Sequence, residues 1–192
     1  MNRIRRQCFE NLEKLPFASS VFELLNGVNK VKLGTTMTKG VIMRYYIDCE
    51  FDGHNGDILS VAIVREKSNS YSIYIRVSNN PINSWVIENV VPVLDSHQAD
   101  VTTVVREQHV GAIIQTFLAG DDHPIIIADS PVDIGRFCRA ISTGPDRQWA
   151  STSQPRITFE VHNVDCYPTT LEGAVQHNAW WDAMALRDKL ES

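Results

Sequence analysis

The sequence has no long apolar run: nothing in its 192 residues approaches the ~18 consecutive apolar positions of a membrane-spanning helix. A helical membrane span is therefore excluded. The opening MNRIRRQCFE has arginines but no apolar stretch behind them, so no secretory leader is expected. Cysteine is scarce. Cys8, Cys49, Cys138 and Cys166 lie far apart and form no CxxC pair, which argues against a zinc ribbon or a disulfide scaffold. Buried free thiols in a reducing, cytoplasmic setting are the expectation. There is no internal repeat and no low-complexity tract. A basic excess is also missing: 18 Lys and Arg against 23 Asp and Glu leave a net charge of -5. The chain as a whole is thus no bulk-charge binder of nucleic acid.

What charge there is falls unevenly. Residues 1–43 hold seven Lys or Arg against three Glu, leaving 11 basic and 20 acidic groups in the rest. The basic part carries two short amphipathic patterns, 4–14 and 20–26, and then the joint GTTMTKG. Met43 opens the strand pattern MRYYIDCEF. The organisation expected is a basic, partly helical N-terminal extension over 1–42 and one compact domain over 43–192. Within that domain Ile58–Val64 and Tyr71–Val77 are β-rich runs split by REKSNS, so with the first strand they predict an antiparallel meander. SWVIENVVPVL is helical or mixed, with Pro92 as a break. Glu107–Leu118 has a helical apolar stripe. Pro124–Ala128 is an apolar run typical of a strand buried on both faces. Ser130, Pro131 and Asp133 mark a helix start. A polar loop over 142–156, a strand over Ile157–Val164 and a helix from about Asn178 to Leu190 complete an α/β domain with a mixed sheet.

Three acidic features stand out against this frame. Asp48 and Glu50 lie two apart on one strand, so they share a face, while Ile47 and Cys49 share the other. Two carboxylates side by side on a core strand repel each other unless a cation lies between them; an edge strand with one wet face is the bland alternative. Asp182 falls on the same helical stripe as Ala179, Ala183 and Leu186, facing inward, where an unpaired carboxylate needs a partner. His177 stands just before that helix. Asp133 opens the helix after the buried strand, with Asp129 as a competing carboxylate; a cap or an Asx turn explains either one equally well.

The order of these features resembles the DEDDh 3′→5′ exonucleases, the RNase T and DnaQ-like group with an RNase H-like fold. IDCEF matches their first motif, VDIGRF resembles the second, and HNAWWDAMA is similar to the third, over roughly residues 44–190. Asp129-Ser130 stands where the family has His-Asn before the second-motif Asp, so Asp133 and Asp129 remain alternatives. The short helix after the third strand is most similar to compact bacterial and phage-type 3′→5′ exoribonucleases. The resemblance implies an RNase H-like mixed sheet with flanking helices and two Mg²⁺ or Mn²⁺ ions, held by Asp48, Glu50, Asp133 and Asp182. It implies His177 as general base. It also implies Phe51 as a seat for the terminal nucleotide, although Phe51 reads more readily as a core aromatic. Trp180 and Trp181 read as base-stacking or, more commonly, as helix packing. The implied partner is a single-stranded 3′ end, RNA by the lean of the family, with no membrane; a homodimer is left open. The alternatives are a proofreading-type DNA exonuclease and an inactive binding protein of the same fold.

Overall fold

The computed structural model describes residues 42–118, 121–143, 156–165 and 171–192. The expected N-terminal helices, most of the 142–156 loop, Cys8 and Cys166 lie outside the described residues. The fold is α/β: one six-stranded mixed sheet and four α-helices among the described residues. The strands are β1 (Arg44–Phe51), β2 (Ile58–Arg65), β3 (Ser72–Val77), β4 (Val101–Val105), β5 (Ile125–Ala128) and β6 (Thr158–Val161). Their order across the sheet is β4-β3-β2-β1-β5-β6. β1, β2 and β3 form the expected antiparallel meander, while β4 runs parallel to β3, and β5 and β6 continue in parallel from β1.

The helices are α1 (Ser84–Asn89), α2 (Glu107–Leu118), α3 (Pro131–Ser142) and α4 (Ala179–Leu190). A 3-10 turn at Val91–Val93 contains Pro92, the expected break. One core forms where Tyr45, Ile47 and Cys49 of β1 meet Val110, Ile113, Ile114 and Phe117 of α2 and Phe137 of α3. Gly111 allows this closeness: a Cβ there would stand 2.4 Å from the Ala140 carbonyl oxygen. On the opposite face, Tyr46, Ala62 and Tyr74 pack against Ala179, Ala183 and Leu186 of α4. The alternation of β1 thus places Asp48 and Glu50 on the side that α4 covers. Among the described residues no helix is long and apolar enough to cross a membrane.

Two expectations need correction. Residues 101–105 show no strand pattern in the sequence, yet they form β4. VTTVV is short, sits at the sheet edge, and buries only its two end valines, so it lacks both a clean alternation and an apolar run. The last strand is also shorter than Ile157–Val164, because after Val161 the chain makes one more bond, His162 N–H to the Ala128 carbonyl, and then turns.

Candidate active site

The carboxyl ends of β1 and β5 and the amino-terminal ends of α3 and α4 enclose a cleft of about 540 Å³. Asp48 and Glu50 reach it from β1 and Asp182 from the first turns of α4, while Asp129 and Asp133 reach it from either side of the β5–α3 turn; His177 closes the rim. The five residues expected as a constellation are therefore together. Asp129 and Asp133, set as alternatives above, are neighbours. One oxygen each from Asp48, Glu50 and Asp182 lies within 4.8 Å of the others, and a second such group is Asp48, Asp129 and Asp133. Asp48 belongs to both.

Local chemistry explains the placement. Ser130 takes the capping role at α3, accepting from the Val132 amide at 3.1 Å, which leaves Asp133 to turn its carboxylate into the cleft. At α4 the cap is Asn178, whose Oδ1 accepts from the amides of Trp180 and Trp181 at 3.1 and 3.4 Å. Its Nδ2 donates to the Val93 and Leu94 carbonyls at 2.7 and 3.1 Å, pinning the start of the helix. His177, one residue earlier, has φ of 61°, a left-handed conformation that costs a non-glycine residue about 1–2 kcal/mol. The β1–β2 turn is held by Arg136, which donates to the carbonyls of Gly56 and His54 while its guanidinium sits 4.5 Å from the Phe51 ring centre. Phe51 also packs on the core and lines the cleft.

The electrostatics are those of crowded, largely buried carboxylates. Among the described residues Asp48, Glu50, Asp133 and Asp182 form no ion pair. Burial, and then the charges of Asp133, Glu50 and Asp182, push the Asp48 carboxyl well above its ordinary range. Burial with Asp182 and Asp133 nearby raises Glu50 to about 8. Burial and Asp129 raise Asp133 to about 7, against the amides of Cys49 and Asp133 itself. Burial also raises Asp182 to about 7, opposed by the amides of Asn178 and His177. All ligand atoms are hard oxygens, and the Cys49 thiol points to the other face of the sheet. The donor set therefore fits Mg²⁺ or Mn²⁺ better than zinc or copper.

These shifts carry a sign. A carboxyl raised in the folded state favours folding below its ordinary value and loses that advantage as pH climbs through the raised one. Without divalent cations, thermal stability should therefore fall between about pH 5 and pH 8. Mn²⁺ should restore it at pH 8 by binding the folded form. Asp133→Asn should raise the metal-free stability at pH 8 by on the order of 1–3 kcal/mol. Thermal unfolding in EDTA and in Mn²⁺ at several pH values checks this, and a metal-free midpoint that rises with pH would contradict it.

Trp180 and Trp181 do not reach the cleft. Both are buried, their indole N–H groups donate to Ser72 Oγ and the Ser96 carbonyl at 3.1 and 2.7 Å, and they pack α4 onto the sheet. Residues with no sequence signal also line the cleft: Asn163, Val164 and Asp165 after β6, and Gln176. Trp85 of α1 stands beside His177 with ring centres 5.1 Å apart. Comparison of the chain with protein-family models and with curated proteins finds no match.

Proposed function

We propose that the protein is a metal-dependent 3′→5′ exonuclease with an RNase H-like fold, removing nucleotides from the 3′ end of single-stranded nucleic acid, RNA by preference. The observation that carries this reading is Asp48 shared between two carboxylate groups, with His177 at the rim of the same cleft. The antiparallel meander joined to parallel β5 and β6 at β1 supports the fold assignment.

When bound, two divalent cations supply activation of water and stabilisation of the departing oxyanion. The chain's own residues do the rest. Asp48 presents its carboxylate to both groups, Glu50 and Asp182 complete one, and Asp133 with Asp129 completes the other. His177, which is no member of either group, accepts the proton from the attacking water. Phe51, clamped by Arg136, offers an apolar ring to the terminal nucleotide. The acidic surroundings leave few phosphate contacts, which favours trimming of ends or short oligonucleotides over long tracking.

The test is 5′-labelled single-stranded RNA and DNA incubated with Mg²⁺, Mn²⁺ or EDTA. Shortening from the 3′ end that needs the metal is the expected result, faster on RNA than on DNA. Internal cleavage, or activity that survives EDTA, would overturn the reading.

We propose further that residues 43–192 form the catalytic unit and 1–42 an appendage. A chain starting at Met43, whose side chain is buried against β1 and the core, should fold and keep metal-dependent activity. Circular dichroism and the same nuclease assay decide this. Intact folding with lost activity would instead make residues 1–42 part of the substrate site.

A further inference from the structure

Trp85 is 53% exposed, although α1 buries Val86, and the chain just after it Val90, against Leu59 and Leu94. The indole is thus not needed for the core. Its ring meets the His177 imidazole edge-on, with centroids 5.1 Å apart and planes at 80°. His177 needs such support. Its backbone is in the left-handed region, and it lies in the loop before α4. The next residue, Asn178, is tied by its carboxamide to the Val93 and Leu94 carbonyls, in the same segment that carries Trp85. That segment is fixed in turn to the strand bearing Asp48 and Glu50: the Asp52 carboxylate accepts from the amides of Ile82 and Asn83, at 2.8 and 2.9 Å, at the start of α1. Gly53, with φ of 68°, brings the β1–β2 turn so close that a Cβ there would stand 2.8 Å from Asn83 Nδ2. Residues 82–94 therefore grip His177 twice, by the backbone through Asn178 and by the ring through Trp85.

We propose that Trp85 is a positioning residue that holds the His177 imidazole in its working orientation over the cleft. The inference rests on the exonuclease reading and assigns Trp85 a role through His177, not through the substrate. Edge-to-face packing selects one ring orientation. Freed from it, the imidazole samples other rotamers, and misplacement of a reacting group by about 1 Å can cost up to roughly 10²-fold in rate.

The test is a double-mutant cycle in the full chain with Mn²⁺ and labelled single-stranded RNA. Trp85→Ala should lower kcat about 10-fold or more, with KM changed less than about 2-fold. Trp85→Phe, which keeps an aromatic face against the imidazole, should recover most of the loss. In a His177→Ala background, Trp85→Ala should have almost no further effect on kcat, because the group it positions is gone. The thermal midpoint of Trp85→Ala should stay near wild type. In NMR spectra the His177 ring C–H resonances should shift when the indole is removed, a readout that needs no activity.

A rise in KM with kcat unchanged, or an equal loss in the His177→Ala background, would overturn the proposal and make Trp85 a direct substrate contact. An active wild type with an unaffected Trp85→Ala would overturn this role alone. A wild type without metal-dependent exonuclease activity would overturn the exonuclease reading, and this role with it.

Discussion

Asp48→Asn should abolish turnover. The substitution keeps the shape of the side chain and removes one negative charge from the carboxylate that belongs to both acidic groups. A neutral amide holds a hard divalent cation poorly, and an amide nitrogen offers no second oxygen to share. Losing several kcal/mol of cation-based stabilisation of the transition state corresponds to a fall in rate on the order of 10³-fold or more. The fold should survive, because Asn fits the same space and the substitution relieves repulsion from Asp133, Glu50 and Asp182. Metal-free stability at pH 8 should therefore rise while Mn²⁺ affinity falls. Calorimetric Mn²⁺ titration together with the nuclease assay measures both. A variant that retained tight binding of two ions would remove Asp48 from its shared position.

His177→Ala should separate base catalysis from metal binding. His177 lies at the rim of the cleft and belongs to neither group of ligand atoms within 4.8 Å of one another. Its removal should leave Mn²⁺ affinity nearly unchanged. The rate should fall by on the order of 10²–10⁴-fold, the usual worth of a positioned general base. The pH–rate profile should change as well. The variant's profile should no longer carry the contribution of a base that accepts a proton. Replacing a left-handed histidine by alanine removes no cap, since Asn178 holds the start of α4, so the variant should fold. If His177→Ala abolished metal binding as thoroughly as Asp48→Asn, His177 would be a ligand. If it left the rate and its pH dependence unchanged, His177 would have no part in the chemistry.

The residues that could be read from the sequence are those governed by short-range periodicity. Strand alternation placed Asp48 and Glu50 on one face of β1, and helical spacing placed Asp182 on the inward stripe of α4, because both depend only on neighbours a few positions away. Ser130 and Pro131 marked the start of α3 to the residue. The relation between Asp129 and Asp133 was not legible in this way. Local reading treats a cap and an Asx turn as separate local explanations, whereas the β5–α3 turn folds both carboxylates toward Asp48. β4 was missed because its edge position leaves its middle three residues less buried than its ends, so no local pattern identifies it. For Trp180 and Trp181 the commoner reading, helix packing, is the one the structure shows. Only the partners Ser72 and Ser96, more than eighty residues away in sequence, decide that both rings point into the structure. Trp85 beside His177 is likewise a contact between distant segments, and no spacing rule anticipates it.

Crystals grown with Mn²⁺ and measured at the manganese absorption edge test most directly whether two cations share Asp48. The expected map has two anomalous peaks about 3.5–4 Å apart in the cleft. One should lie among Asp48, Glu50 and Asp182, and the other beside Asp48 with Asp133 or Asp129. No peak in the cleft at Mn²⁺ concentrations that saturate activity, or peaks that leave Asp48 without a cation, would contradict the account.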